Sequence, residues 1–77
     1  MLRLKLDKIL YDRRITVNQL SKMTGIRWNT INDLAENTAR HWSPDNLEKI
    51  MVSLEINRIE DLIEYVEGDE GDATENQ

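Results

Sequence analysis

Apolar residues recur along this chain at spacings of three and four, which is the pattern of amphipathic helices. Leu2, Leu6, Ile9 and Leu10 mark one face of a first helix. Four later stripes share this spacing: Val17 with Leu20, Ile31 with Leu34, Leu47 with Ile50, Met51 and Leu54, and Ile59 with Leu62, Ile63 and Val66. The pattern therefore predicts an all-α fold, a compact domain of five helices over residues 1–66.

Start and stop signals agree with these stripes. Thr16 is followed three residues later by Gln19, which is the capping-box pattern of a helix start. Gly25 stands where a helix end favours a left-handed backbone. Ser43 followed by Pro44 predicts the start of the fourth helix. The second and third helices are thus expected to meet at a tight turn at Gly25, as in a helix-turn-helix.

The third predicted helix has an amide-rich outer surface, with Asn29 and Asn32 among its exposed positions. An asparagine side chain carries both a donor and an acceptor, so it can pair with the adenine edge in the major groove. That groove is wide enough for one α-helix, and a small residue at the turn lets a supporting helix cross closely. The pattern favours DNA reading, while ordinary exposed polar residues are the alternative.

Charge is distributed unevenly over the 77 residues, whose formal net charge is −5. Residues 1–42 carry eight Lys or Arg against four Asp or Glu, whereas residues 43–77 carry two against eleven. This asymmetry is compatible with one face meeting phosphate, and equally with a solvated surface. Residues 67–77 hold five acids, no base and no apolar residue larger than Ala, so we expect an acidic flexible tail there.

Composition argues against several functional classes. No segment approaches the roughly 20 consecutive apolar residues of a membrane span, and charges interrupt the N-terminus where a signal peptide would be apolar. The absence of cysteine excludes disulfides and favours a cytoplasmic location. His41 is the only histidine, and Gly25, Gly68 and Gly71 form no phosphate-binding loop. We therefore expect no enzyme, no metal site and no cofactor.

Residues 15–34, ITVNQLSKMTGIRWNTINDL, resemble the core of the Cro/phage-repressor (Xre-like) helix-turn-helix family. The likeness includes an apolar residue followed by Thr, the Gly-Ile turn and the apolar positions of the next helix. Residues 43–50, SPDNLEKI, resemble the fourth helix of that family, and the likeness extends over about residues 2–66. It implies a lambda-repressor-like domain that binds double-stranded DNA as a transcriptional regulator, a repressor of phage or bacterial type, as a homodimer on DNA or as several monomers at repeated half-sites.

The resemblance also implies which residues contact DNA. In that family the third helix, here about residues 28–36, enters the major groove, and the N-terminus of the second helix contacts phosphate. Thr16 is then expected to contact phosphate through its hydroxyl or amide, with Arg27, Arg40 and His41 also within reach of phosphate. The residues expected at the base edges are Trp28, Asn29, Asn32 and Asp33, with Thr30 nearby.

Three positions depart from the family's pattern and keep a second function open. Val17 stands where Gln is frequent, Trp28 where a polar residue is common, and Asp33 where Gln, Arg or Lys is common. The Trp28 indole could pack on a thymine methyl or sugar, or fold back on the scaffold. The alternative function is a protein-interaction module that binds another regulator or acts as an antitoxin-like partner. A neutral or acidic face around Trp28, Asn29 and Arg40 would favour it.

Two further expectations concern apolar residues. Trp42 is expected to fill the core between the third and fourth helices rather than to stack on a ligand. No separate dimerisation domain is evident, so self-association is expected to use residues near the N-terminus or in the fifth helix, such as Leu4, Ile63 or Tyr65.

Overall fold

Four α-helices and one two-stranded sheet form the domain in the computed structural model, which describes residues 1–67. In chain order the elements are β1 (Leu2–Leu4), α1 (Leu6–Arg13), α2 (Val17–Thr24), α3 (Trp28–Glu36), α4 (Pro44–Ser53), a 3₁₀ turn (Ile59–Asp61) and β2 (Ile63–Tyr65). Within residues 1–67, no helix has the length and apolar character needed to cross a membrane. The tail predicted for 67–77 lies outside the described residues from 68 onward.

The predicted helix starts are confirmed by their hydrogen bonds. The backbone N–H of Gln19 donates to Thr16 Oγ1 at 3.0 Å, and the N–H of Thr16 donates to Gln19 Oε1 at 2.8 Å. Ser43 Oγ accepts from the N–H of Asn46 at 3.3 Å, and Pro44 occupies the first helical position of α4. Each cap satisfies a donor that the first turn of a helix would otherwise leave without a partner.

The prediction of five helices in an all-α fold is wrong at both ends of the domain. β1 pairs with β2 in an antiparallel register, with Leu2 opposite Tyr65, Arg3 opposite Glu64, and Leu4 opposite Ile63. The segment expected to form the fifth helix contains only one 3₁₀ turn before β2 begins.

At both ends of the domain, apolar and charged residues also alternate with a period of two, in addition to the helical spacing. This second pattern explains the error. Leu2, Leu4 and Leu6 alternate with charged residues, and Ile63 and Tyr65 flank Glu64, so both ends also carry the period of a strand. Strands of three residues are not stable alone, and their pairing depends on packing against the helices. The contact between the two ends of the domain therefore selects strand over helix.

The core lies between the sheet and the four helices. Its members are fully or almost fully buried: Leu4, Leu6, Leu10, Leu20, Ile26, Ile31, Leu34, Ala35, Ile50, Leu54, Ile56 and Leu62. Trp42 is half-buried and packs against this cluster, which agrees with its expected role in the core. Leu4 has no exposed surface, so the expectation that it mediates self-association is wrong.

Asn37 connects the end of α3 to the sheet. Its side chain accepts a hydrogen bond from the Leu4 N–H at 2.7 Å and donates one to the Leu4 carbonyl at 3.0 Å. The carboxamide thus takes the place of a neighbouring strand for this one residue. Asn37 also ends α3 in the left-handed conformation with φ of 60°, which Asn tolerates better than most residues.

Two of the basic residues in the first half of the chain support the scaffold. Arg13 Nη1 donates to the carbonyl of Leu54 at the C-terminal end of α4, where a cation also opposes the helix dipole. Arg3 Nε lies 3.5 Å from Glu64 Oε2 across the sheet. These cations are therefore engaged away from α3.

Replacing Asn37 with Gly tests the connection between α3 and the sheet. Glycine accepts the positive φ but lacks the carboxamide, so the buried polar groups of Leu4 lose both partners. We expect the free energy of unfolding to fall by about 2 kcal/mol and Tm to fall by roughly 10 °C, measured by denaturant and thermal unfolding.

Glu55→Gly is the matched control, because Glu55 also has a positive φ, of 57°, but is exposed. This control should be neutral or slightly stabilising, since glycine relieves the backbone strain there. Equal stability of Asn37→Gly and the wild type would show that the Leu4 hydrogen bonds contribute nothing.

Candidate nucleic-acid interface

The turn between α2 and α3 is held by side-chain as well as backbone hydrogen bonds. Gly25 has φ of 77° and donates its N–H to the Ser21 carbonyl at 2.8 Å. Thr24 Oγ1 accepts from the Ile26 N–H at 3.1 Å, and Ser21 Oγ donates to the Ile26 carbonyl at 2.5 Å. Ile26 itself is buried in the core. The angle between the two helices is therefore fixed at both the backbone and the side-chain level.

α3 buries one side and presents the other to solvent. Ile31, Leu34 and Ala35 lie in the core. At 100° per residue, the opposite direction is occupied by three exposed polar side chains, those of Asn29, Asp33 and Glu36. A helix so oriented offers a polar ridge that is free to enter a groove of another molecule.

The residues flanking this ridge differ in exposure. Trp28 begins α3 and keeps 48% of its surface exposed, so about half of the residue is covered by the scaffold and half is accessible. Asn32 is half-buried on the same side of the helix, and Thr30 is half-buried on the other. Trp28 and Asn29 are therefore more accessible to a large partner than Asn32.

One open depression beside α3 brings several predicted residues together. Thr30, Asp33, Arg40 and His41 all line it, where the segment after α3 folds back along the helix. Trp28, Asn29 and Asn32 do not line it and remain on the rest of the α3 surface. The predicted residues thus form a surface around α3 rather than an enclosed pocket.

The same depression includes Ser43 and Asn46, which sequence analysis did not select as site residues. Ser43 had been identified only as a helix cap. Both residues lie at the start of α4, and the return of the chain after α3 brings that helix end beside Arg40 and His41. No spacing in the sequence encodes this approach, because it depends on how α4 packs. Glu36, by contrast, follows Asn29 by seven residues, so helical periodicity alone assigns it to the same outer face.

Asp33 is partly engaged in local structure. Its backbone carbonyl accepts from the N–H groups of Thr38 at 2.9 Å and Ala39 at 3.3 Å. Its carboxylate Oδ1 accepts from Thr38 Oγ1 at 3.3 Å. Asp33 therefore stabilises the turn that follows α3 as well as contributing a negative charge to the exposed ridge.

Thr16 lies at the N-terminus of α2, where its capping role limits the contact it can make. Its N–H is already donated to Gln19, and its hydroxyl oxygen already accepts from the Gln19 N–H. The hydroxyl proton is the donor left for another molecule. Of the two predicted routes to phosphate, hydroxyl or amide, only the hydroxyl is compatible with the intact capping box.

Formal charge on the α3 surface is balanced. Between residues 27 and 43, Arg27 and Arg40 are opposed by Asp33 and Glu36. All four side chains are exposed. The surface therefore carries two cations at its margins and two carboxylates on its ridge, and lacks the strong excess of positive charge typical of many DNA-binding faces.

Comparison with known proteins identifies the family. The family model for the Cro/C1-type HTH DNA-binding domain matches residues 5–68, which is most of the chain. No significant match was found among curated proteins or among solved structures. The match includes α2, the Gly25 turn and α3, the elements that form the exposed ridge described above. The chain therefore belongs to the Cro/C1-type helix-turn-helix DNA-binding domain family.

Proposed function

We propose that this protein is a sequence-specific transcriptional regulator, a repressor of phage or bacterial type, that inserts α3 into the major groove of double-stranded DNA. The observation that carries the proposal is the rigid α2–Gly25–α3 unit, which presents a polar ridge in a chain of a DNA-binding family. It acts in the cytoplasm, without a cofactor and without catalysis. Residues 1–66 are the DNA-binding domain, followed by an acidic tail.

In this proposal the exposed residues of α3 read the bases. Asn29 lies at the centre of the ridge and forms the bidentate pair with an adenine edge that its amide permits. The exposed Trp28 indole packs on a thymine methyl or a sugar. Asn32 and Thr30, being half-buried, contribute at the edges of the contact. Asp33, whose carboxylate partly supports the following turn, accepts from a cytosine amino group.

Phosphate contacts surround this central contact. Arg27 precedes α3, and Arg40 follows it with His41, so cationic side chains stand on both sides of the ridge. Thr16 adds a hydroxyl donor at the start of α2. These contacts orient the protein on the duplex, while the ridge selects the sequence. A homodimer would place two such units on half-sites about one helical turn apart.

A second candidate function is a protein-interaction module on the same scaffold, binding another regulator or acting as an antitoxin-like partner. Two observations favour it: the balanced charge of the α3 surface, and an apolar groove on another face. That groove has a volume of about 550 Å³ and includes Trp42, Leu47, Met51, Val52 and Ile59. The salt dependence of DNA binding distinguishes the two candidates.

The first test selects preferred duplexes from a random library and measures their binding by fluorescence anisotropy at increasing salt. If each copy of a dimer neutralises about two phosphates through Arg27 and Arg40, log K should fall with log salt at a slope of about −3 to −4. A flat salt response, or no duplex enriched over the starting library, would contradict DNA binding and favour the protein-interaction module.

The second test replaces Asn29 with Ala and measures affinity for the selected duplex. Loss of a bidentate base contact should weaken binding by roughly 5- to 150-fold, about 1–3 kcal/mol, and relax the preference at one base pair.

Asn57→Ala is the matched control, since Asn57 is an exposed asparagine between α4 and the 3₁₀ turn. Its affinity should equal that of the wild type. If Asn29→Ala also binds as the wild type does, Asn29 is not a base contact.

A further inference from the structure

The apolar groove beside α4 is formed partly by core residues and partly by exposed ones. Leu47 and Met51, one helical turn apart, are half-buried and pack against the core, and Ile56 is buried. Val52 and Ile59 also line the groove, and they remain 71% and 50% exposed. The residues of the α3 ridge do not line it. Exposed apolar residues gathered around a groove commonly mark a site for another protein.

The apolar surface continues across α4 into a second depression. This depression shares Glu48 and Val52 with the groove and adds Met23, which is 50% exposed at the end of α2. Val52 is therefore central to the surface, because it lines both depressions. Met23 and Met51 have unbranched side chains that adapt readily to the shape of a partner.

Negative charge surrounds this apolar surface. Residues 44–61 carry five Asp or Glu against two Lys or Arg. Arg58 pairs with Glu60, and no other ion pair within the described part of the chain involves this segment. The four carboxylates left outside ion pairs are all exposed: Asp45, Glu48, Glu55 and Asp61.

These carboxylates lie close to the groove itself. Glu48 lines both depressions, and Asp45 lines the second one with Lys49. Glu55 and Asp61 line a neighbouring depression that adjoins the groove through Ile56 and Asn57. Its two cations are already engaged, Arg13 with the Leu54 carbonyl and Arg58 with Glu60. A partner with positive charge beside its apolar face would therefore complement this surface.

The dimensions of the groove suit a helix. The α4 residues that line it extend from Pro44 to Val52, which corresponds to about 12 Å along the helix axis. Two turns of a partner helix cover about 11 Å and present apolar residues at i, i+4 and i+7. The backbone groups in the middle of α4 are bonded within the helix, so they offer no pairing to an extended strand. A helix satisfies its own backbone groups and needs only side-chain contacts.

Charge argues against an occupant that belongs to this chain. Residues 67–77 hold five acids, no base and no apolar residue larger than Ala, so they match neither the charge nor the apolar lining. Two copies related by a two-fold axis through the groove would bring their acidic surrounds together, and like charges brought together at an interface are costly. The complementary occupant is therefore a different protein.

We propose that the α4 groove binds an amphipathic helix of another protein, with apolar residues on one face and Lys or Arg beside them. The apolar residues fill the groove between α4 and Ile59, and the cations lie near Glu48, Glu55 and Asp61. This proposal rests on the second candidate function, binding of another protein by this scaffold. It requires neither the presence nor the loss of DNA binding by α3.

A synthetic peptide of about 18 residues tests the proposal, since this length allows a helix to form. It carries Leu at i, i+3, i+4 and i+7 spacing and Lys and Ala elsewhere. Titrated into isotope-labelled protein without DNA and followed by NMR, it should give saturable shifts concentrated in residues 44–61 and at Met23.

Two control peptides separate the apolar face from the charge. One has Glu in place of every Lys, and the other keeps the composition but distributes Leu around the helix. Both should bind at least about tenfold more weakly. Equal binding of the three peptides, or no saturable binding of the Lys peptide, would overturn the proposal. Shifts centred on α3 would also overturn it, while showing that the scaffold binds peptides at another surface.

Val52→Lys tests the centre of the surface. It removes an exposed apolar side chain and adds a cation, so the affinity for the Lys peptide should fall by about tenfold or more. Tyr11→Lys is the matched control, because Tyr11 is 84% exposed on α1 and lines neither depression. Equal weakening by both variants would show that only net charge matters, which contradicts a site at α4.

Glu48→Lys tests the charge complementarity. It should weaken binding of the Lys peptide several-fold and strengthen binding of the Glu peptide. Glu36→Lys makes the same change of charge at an exposed position on α3 and should alter neither affinity. Equal effects of the two reversals would contradict the proposed role of Glu48. Circular dichroism confirms that each variant is folded, and the absence of DNA makes every outcome independent of DNA binding.

Discussion

The pairing of the Asn37 side chain with the Leu4 backbone is the contact through which the helical and the β parts of this domain constrain each other. α3 ends at Asn37 because this residue adopts a left-handed backbone, and the same residue supplies the two hydrogen bonds that a third strand would give. Leu4 is thereby buried with its polar groups satisfied, and β1 can lie between α3 and β2. An unsatisfied buried amide there would cost about as much as several surface contacts contribute.

The residues that hold α3 in place are different from the residues on its exposed surface. The inner side of the helix is held by the core, its start by the Gly25 turn and its end by Asn37. The ridge bearing Asn29, Asp33 and Glu36 takes no part in that support, apart from the bond of Asp33 to Thr38. A surface that does not carry the fold is free to change, which is why members of one helix-turn-helix family can present different side chains to different partners.

The basic residues are likewise divided between supporting the fold and flanking the exposed surface of α3. Arg3 and Arg13 belong to the basic half of the sequence, but they act on Glu64 and on the end of α4. Arg27 and Arg40 remain at the margins of α3, where Asp33 and Glu36 offset them. The charge asymmetry of the sequence therefore overstates the positive potential of the candidate interface. Base reading as proposed above would depend on the shape and amide chemistry of α3, because phosphate contacts orient a protein but carry no sequence information.

Local signals in the sequence determined much of the fold and part of the site. The caps at Thr16 and Ser43, the left-handed Gly25 and the apolar stripes depend on residues within a turn of one another, so α2, α3 and α4 were predicted close to their observed bounds. Membership of the helix-turn-helix family followed from the same segment. The exposed ridge on α3 could also be anticipated, because helical periodicity alone assigns its faces.

Tertiary structure decided what depends on residues far apart in the chain. Residues 2–4 and 63–65 carry both helical and strand spacing, and only their mutual pairing made them strands. Asn37 gained its role from a partner 33 positions away, and Ser43 and Asn46 joined the α3 surface only when α4 packed beside it. The helix-turn-helix could be predicted from the sequence because its signals are local. The sheet and the engagement of Arg3 and Arg13 away from α3 could not be predicted, because each depends on which distant residues meet.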